Sequence, residues 1–399
     1  MKLIRREIYF RKIKPYIGKN IIKVIVGQRR VGKSCFLQLL SHDYKIEFPD
    51  IPIVFINMED IGNENLSGYK ELVQYAENIK LSAPKAAIFI DEIQDISQFE
   101  KALRHFQTSG EWDIYCTGSN AAMLSGELAT FLSGRYVEIK MFGLSFQEFL
   151  TFNELEDSQL NFEKYLRFGG LPFLMNLNFD ERTIYDFLKN IFNTILFKDV
   201  VSRYNIRNVS FLQKLTSYIA DNIGNIVSAR KISEFLKSQN QKISVNIVLD
   251  YLSYLTNAYF IYQVQRFDIK GKRLLEVSEK YYLEDLGIRH SITGFRINDT
   301  AQIFENIVFI HLLIHDYSVT IGKLNDKEID FVCQRDGIRI YIQVTLSLAD
   351  NKVKERKYGN LLEINDNFRK IVITGDEYTT EHFQGIETIN IRKFLKDFS

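Results

Sequence analysis

The chain has 399 residues, 46% hydrophobic and 25% charged, which are ordinary globular proportions and enough for two to four folding units at roughly 150 residues each. A formal net charge of +1 gives no global pull toward nucleic acid or membrane, although a local basic patch fits within a balanced total. No run approaches the roughly 18 apolar residues of a membrane span, Met1–Glu7 lacks a signal-peptide core, and Cys35, Cys116 and Cys333 are too widely spaced for a metal-ligand pattern, so a cytoplasmic protein with buried thiols and no membrane contact is predicted.

Residues 1–145 alternate short Ile- and Val-rich runs with helical stretches. The runs Ile21–Val26, Ile53–Ile56, Ala86–Ile90, Ile114–Thr117 and Tyr136–Ile139 read as buried strands of a parallel sheet covered on both faces, an α/β core. The first run enters Gly27-Gln28-Arg29-Arg30-Val31-Gly32-Lys33-Ser34, which fits G-x-x-x-x-G-K-[ST] at every fixed position, and the helix Cys35–Leu40 leaves it. Gly27 and Gly32 permit backbone turns that a side chain would obstruct. Consecutive N–H groups from Gly27 to Cys35 then form a concave nest for phosphate at a helix start. Lys33 is expected on the β- and γ-phosphates and Ser34 on Mg²⁺, so the predicted ligands are ATP and Mg²⁺.

The run Ala86–Ile90 ends in Asp91 and Glu92. Asp91 is expected to hold Mg²⁺, directly or through water, and Glu92 to polarise the water that attacks the γ-phosphate. The run Ile114–Thr117 ends in Gly118-Ser119-Asn120, where Asn120 or Ser119 suits a γ-phosphate sensor and a simple turn is the alternative. Arg135, in Ser133-Gly134-Arg135, offers a transition-state cation, from its own chain or a neighbouring subunit, or else a structural ion pair.

Residues 146–205 read as a helical lid, with three-to-four spacing in Phe146–Leu150 and Tyr185–Val201 and a break at Gly169-Gly170-Leu171-Pro172. Residues 206–295 show three amphipathic helices, Leu212–Ile223, Ala229–Leu236 and Val245–Ala258. Alternating strands Phe260–Phe267 and Leu274–Leu283 follow, a winged helix-turn-helix pattern. Arg230, Lys231, Lys237 and Lys242, with Lys270, Lys272 and Arg273 on the wing, are compatible with DNA phosphates or with an ordinary solvated surface. Residues 296–399 open with the helix Ala301–His315. Strands Ser318–Leu324, Glu328–Gln334, Ile338–Thr345 and Lys370–Thr374 follow, an expected second α/β unit.

Together these motifs resemble a family of prokaryotic AAA-type P-loop ATPases. The loop, the Ile-Asp-Glu-Ile-Gln strand end, Thr-Gly-Ser-Asn, Ser-Gly-Arg-Tyr and Gly-Gly-Leu-Pro occur in the family's order across most of residues 20–175, and the carboxy-terminal half is similar to a domain of unknown function in those proteins. One departure is Gly143, where the family usually has proline. The resemblance implies a Walker A and Asp-Glu Walker B core with an added strand between them. It also implies that Pro172 packs on adenine, with Tyr9, Phe10, Ile17 or Ile21 on the other side, a plain turn between lid helices being the alternative. Residues 296–399 resemble a restriction-endonuclease-like fold in which Asp330 matches the first acid, with Glu305 upstream. Gln343 and Thr345 replace the second acid and the lysine, so an inactive nuclease fold is expected unless Lys323, Lys327 or Lys352 takes the lysine's place.

The expected function is ATP hydrolysis driving lid and winged-helix movement, with DNA as one partner. The alternatives are a nucleotide-gated protein-interaction switch with a protein client, an ATP-dependent nuclease, or a binding module without hydrolysis. Related proteins that form rings make an oligomer compatible with the reading, as a monomer is.

Overall fold

Five apolar runs of the amino-terminal third pair into one sheet, whose three inner strands are too hydrophobic to leave either face in water. The computed structural model describes residues 3–81, 83–121, 134–238, 243–377 and 382–398. Ser133 and Lys242 lie outside these. The chain forms two units, Met1–Phe142 with Asn257–Tyr259, and Gly143–Thr256 with Phe260–Ser399.

In the first unit the strands are β1 (Ile22–Val26), β2 (Ile53–Asn57), β3 (Ala86–Asp91), β4 (Trp112–Gly118) and β5 (Tyr136–Lys140), in the order β2-β3-β4-β1-β5. All pair in parallel. The helices Lys33–Glu47, Tyr69–Lys80 and Phe99–Ser109 carry the crossovers that parallel pairing requires. β4 therefore separates the strand feeding the phosphate loop from the strand bearing the two acids. Every residue of the inner strands β1, β3 and β4 is buried, whereas the edge strands β2 and β5 are partly exposed. Burial extends to Lys23, whose ammonium pairs with Asp113, donates to Lys19 O and Ile21 O, and lies 4.5 Å from the Tyr115 ring centroid. Burial pulls its pKa down and Asp113 pulls it back up.

The second unit begins at Gly143. Its N–H donates to Glu284 Oε1 at 2.8 Å, a bond that the family's usual proline cannot make. Ser145 and Glu148 form a capping box on the helix Phe146–Phe152. The helix expected over Tyr185–Val201 is an α-helix, Glu181–Thr194, that widens into a π-helical stretch, Ile195–Ser202.

The remaining strands are β6 (Ile226–Val227), β7 (Ile261–Asp268), β8 (Arg273–Leu283), β9 (Ser318–Leu324), β10 (Lys327–Arg335), β11 (Ile338–Thr345), β12 (Arg369–Thr374), β13 (His382–Phe383) and β14 (Ile386–Asn390). They form one sheet in the order β13-β14-β12-β11-β10-β9-β7-β8-β6. The hairpin β7–β8 follows the helices Val209–Asp221, Ala229–Ser238 and Val245–Asn257. Parallel pairing of β7 with β9 carries the sheet across the point at 295/296 where the sequence pattern changes. Among the described residues no helix is long and apolar enough to cross a membrane.

Candidate active site

β1 ends at Val26, and the chain then turns through Gly27 with φ 150°, Arg30 with φ 71° and Gly32 with φ 101°. A Cβ on Gly27 would lie 2.1 Å from Met141 O, so the loop passes the end of β5 only because this residue has no side chain. Gln28, Arg29 and Val31 are buried while Arg30 is exposed. Gln28 Nε2 reaches Tyr259 O at 3.4 Å, and Arg29 Nη1 pairs with Glu59 Oε1 at 3.1 Å. The N-cap of the helix Lys33–Glu47 is Gly32, which has no side chain to occupy the leading N–H groups.

Lys33 Nζ lies 3.0 Å from Gly27 O, 3.0 Å from Gln28 O and 3.8 Å from Glu92 Oε1. Asp91 accepts a hydrogen bond from Thr117 Oγ1 at 2.5 Å, and the Ser34 hydroxyl also favours its ionised form. Burial raises its pKa above the usual aspartate range, against those two hydroxyls. Glu92 follows β3 with φ 55°, and its N–H donates to Thr117 Oγ1 at 2.9 Å. Its carboxylate accepts from Ser119 Oγ at 3.1 Å and from Gln94 Nε2. Burial pushes its pKa up, but Lys33, Gln94, Arg29 and Ser119 outweigh burial and hold it below the ordinary value. Cys35 is half-buried, and burial with the Asp91 charge raises its pKa, which leaves it a poor nucleophile.

Five predicted residues thus converge: Lys33, Ser34, Asp91, Glu92 and Ser119. Thr117 joins them, touching both acids. Its place as the last residue of an apolar run hides it in the sequence. Asn120 is fully buried just beyond β4. Arg135 does not join the cluster. Tyr136 pairs with Ile22 at the opposite end of β1 from the loop, and Arg135 Nη1 donates to Gln107 Oε1 at 3.3 Å. Pro172 lies in the second unit, opening the 3-10 turn Pro172–Asn176. Tyr9 is fully buried against Phe36, and its hydroxyl accepts from Phe142 N at 3.0 Å, so its ring is committed to the core.

Ser34 and Asp91 offer hard oxygen donors with a single carboxylate, the set that suits Mg²⁺ sharing phosphate oxygens and water. Among the described residues no group of three or more His, Cys, Asp and Glu side chains is arranged to hold a metal by itself.

A second polar cluster lies within the second unit. Lys357 Nζ contacts Asp330 Oδ2 at 2.6 Å and Gln343 Oε1 at 2.8 Å. Lys280 Nζ contacts Glu305 Oε1 at 2.7 Å and Glu328 Oε1 at 2.8 Å. Burial disfavours the Lys280 charge, but Glu305, Glu328 and Asp330 together outweigh it and raise its pKa. The lysine beside the matched acid is thus Lys357, from the helix Asn351–Leu362, and not one of the three named from sequence. Thr345 Oγ1 turns to Ser347 O at 3.1 Å.

The AAA domain family matches residues 19–150, and a domain of unknown function matches residues 159–299. An uncharacterized protein of Haemophilus influenzae is 36% identical over 403 residues, spanning 98% of this chain and 98% of its own. An uncharacterized protein of Methanocaldococcus jannaschii is 32% identical over 375 residues, spanning 89% of this chain and 80% of its own. Among solved structures, the Aeropyrum pernix ORC1 protein in complex with DNA is similar at a TM-score of 0.36 and 12% identity, over 73% of this chain and 93% of that one. AMPPCP-bound DnaA from Aquifex aeolicus is similar at 0.33 and 13%, over 63% and 86%.

Proposed function

Because this chain belongs to the AAA-type P-loop ATPases, in a lineage that adds a carboxy-terminal domain of unknown function, we propose that it binds ATP with Mg²⁺ in the loop Gly27–Ser34 and hydrolyses it. The observation that carries this reading is the 3.8 Å approach of Lys33 to Glu92, beside Asp91 bonded to Thr117 Oγ1. Lys33 exchanges its two loop carbonyls for phosphate oxygens. Ser34 and Asp91 would hold Mg²⁺, which would supply charge neutralisation at the phosphoryl group. Glu92, kept ionised, accepts a proton from the attacking water, and Ser119 and Thr117 fix its direction. Asn120 serves as the sensor, and Arg135 acts on a neighbouring subunit or only structurally. Equilibrium titration tests the binding step: ATP binds the wild type, and Lys33→Ala weakens it at least about tenfold. Equal affinities would remove Lys33 from the site.

Hydrolysis is read as coupled to the helices and hairpin after residue 206, which form a winged helix in this reading. Asn257–Tyr259 belongs to the first unit although the chain on either side belongs to the second, and Gln28 of the phosphate loop contacts Tyr259 O. DNA is one candidate partner, through the exposed Lys270, Lys272 and Arg273 of the hairpin turn. A nucleotide-gated protein switch is favoured by a separate observation. The helix Val245–Asn257 contains no Lys or Arg and exposes Val245, Ile247 and Leu249. Salt-sensitive DNA binding lost in Lys270→Glu/Lys272→Glu decides for DNA, and its absence at low salt with ATP decides for protein. The residues from 296 onward are read as a nuclease-like fold without cleavage, because Lys280 and Lys357 already neutralise the acids that would need a metal.

A further inference from the structure

We infer that Arg6, outside the phosphate-loop motif, is a positioning residue that locks the Val31–Gly32 peptide so that the Gly32 N–H faces bound phosphate. The inference rests on reading Gly27–Ser34 as the ATP site.

Arg6 immediately precedes the helix Glu7–Ile13 and is 4% exposed. Its Nη1 carries two N–H groups, and that atom reaches two carbonyls distant in sequence, Val31 O at 3.0 Å and Phe142 O at 2.8 Å. The guanidinium is itself fixed by the Tyr9 ring, 4.6 Å from its centroid. Tyr9 also accepts from Phe142 N, so both backbone groups of Phe142 are held by this pair. Met141, one residue earlier, continues β5 by donating to Val26 O, and its carbonyl is the group that crowds Gly27. Arg6 therefore ties the middle of the loop to the same strand end that defines its start.

Peptide planarity gives this tie a consequence. In a trans peptide the C=O and the following N–H point in opposite directions. Holding Val31 O on the guanidinium fixes the Gly32 N–H on the opposite side. Gly32, with φ 101°, meets little steric resistance to rotation of that peptide. Without Arg6 the buried Val31 carbonyl loses its donor, and the peptide samples orientations in which its N–H no longer faces the phosphates. The loop then reaches its binding shape only part of the time, and affinity falls by that fraction.

The test uses the full-length chain, selectively ¹⁵N-labelled at glycine, with Arg6→Met and Arg6→Lys. In the nucleotide-free wild type the Gly32 amide gives one sharp signal. In Arg6→Met it shows relaxation dispersion or a second signal, while melting without nucleotide stays two-state. ATP affinity of Arg6→Met falls roughly tenfold and that of adenosine is unchanged, because only phosphate uses the peptide. Arg6→Lys, whose ammonium can bridge the two carbonyls, recovers most of the ATP affinity. If Arg6→Met does not fold, Arg6→Gln is the loss variant. An unchanged Gly32 signal, or an equal loss for ATP and adenosine, overturns the lock. A wild type that binds no ATP while Gly32 responds to Arg6→Met removes the ATP reading and leaves the lock standing.

Discussion

Glu92 sits in left-handed backbone space, φ 55°, where a non-glycine residue costs on the order of 1–3 kcal/mol. The strained turn brings its carboxylate beside Lys33 and Ser119 while its N–H is held by Thr117. A depressed pKa favours the ionised form, so Glu92 remains a base as pH falls below the usual glutamate range. The pH–rate profile of ATP hydrolysis is expected to show no acid limb from Glu92 between neutrality and about pH 5, and a limb there that disappears in Glu92→Gln would contradict this assignment. Gly27→Ala should lower ATP affinity on the order of a hundredfold by calorimetric titration, because a Cβ meets Met141 O at 2.1 Å and the loop must shift. Unchanged affinity would show that the loop adapts freely. These residues were legible in sequence because glycine, lysine and strand-end acids do their work at fixed local spacing. Thr117 and Arg6 were not, since their partners lie 26 and 25 residues away in the chain.

At the level of elements, the helix Asn351–Leu362 is mostly polar, with the sequence Asn-Lys-Val-Lys-Glu-Arg-Lys-Tyr-Gly-Asn-Leu-Leu, and hydrophobic periodicity gave no sign of it. It nonetheless fastens β10 to β11 through Lys357, Asp330 and Gln343. Lys357→Met leaves the Asp330 charge buried and is expected to destabilise the protein by about 3 kcal/mol in urea unfolding; a change near zero would mean that Val344 N, 2.7 Å away, suffices for that carboxylate. The buried helix Leu286–Thr293 was missed because apolar and polar residues alike are covered on it. Its cap, Asp285, accepts from Ile288 N and Gly170 N, both at 2.8 Å. Full burial raises the Asp285 pKa to about 6, despite those bonds. A raised native pKa means that stability is fully present below the unfolded value near 4 and is lost as pH rises through about 6. Relative to Asp285→Asn, the wild type should lose about 3 kcal/mol of stability between pH 4 and pH 7. Parallel stability curves for the two proteins would show that Asp285 titrates normally.

Across the whole molecule, a five-stranded parallel sheet follows from five short apolar runs separated by helices, and that much could be read from periodicity, whereas in the order β2-β3-β4-β1-β5 the strand between the loop strand and the acid strand was implied only by the family resemblance. The nine-stranded sheet could not, because the β7–β9 pairing joins segments more than fifty residues apart and no local pattern announces it. The excursion of Asn257–Tyr259 into the first unit was equally silent in sequence. Tyr259 is buried with φ 53° and its ring lies 5.2 Å from the Lys140 ammonium, so this short segment is firmly seated. Limited proteolysis over residues 243–283 should therefore change on adding a non-hydrolysable ATP analogue, and Gln28→Ala should blunt the change without abolishing binding. Identical cleavage in all states would separate the loop from the second unit. The most direct measurement is phosphate release from ATP and Mg²⁺ by the full-length protein and by Glu92→Gln, with ATP binding measured in parallel. Turnover by the wild type is expected, with a loss of at least about a hundredfold in Glu92→Gln while ATP stays bound. Equal turnover in the two proteins, or none in a wild type that binds ATP, would contradict it.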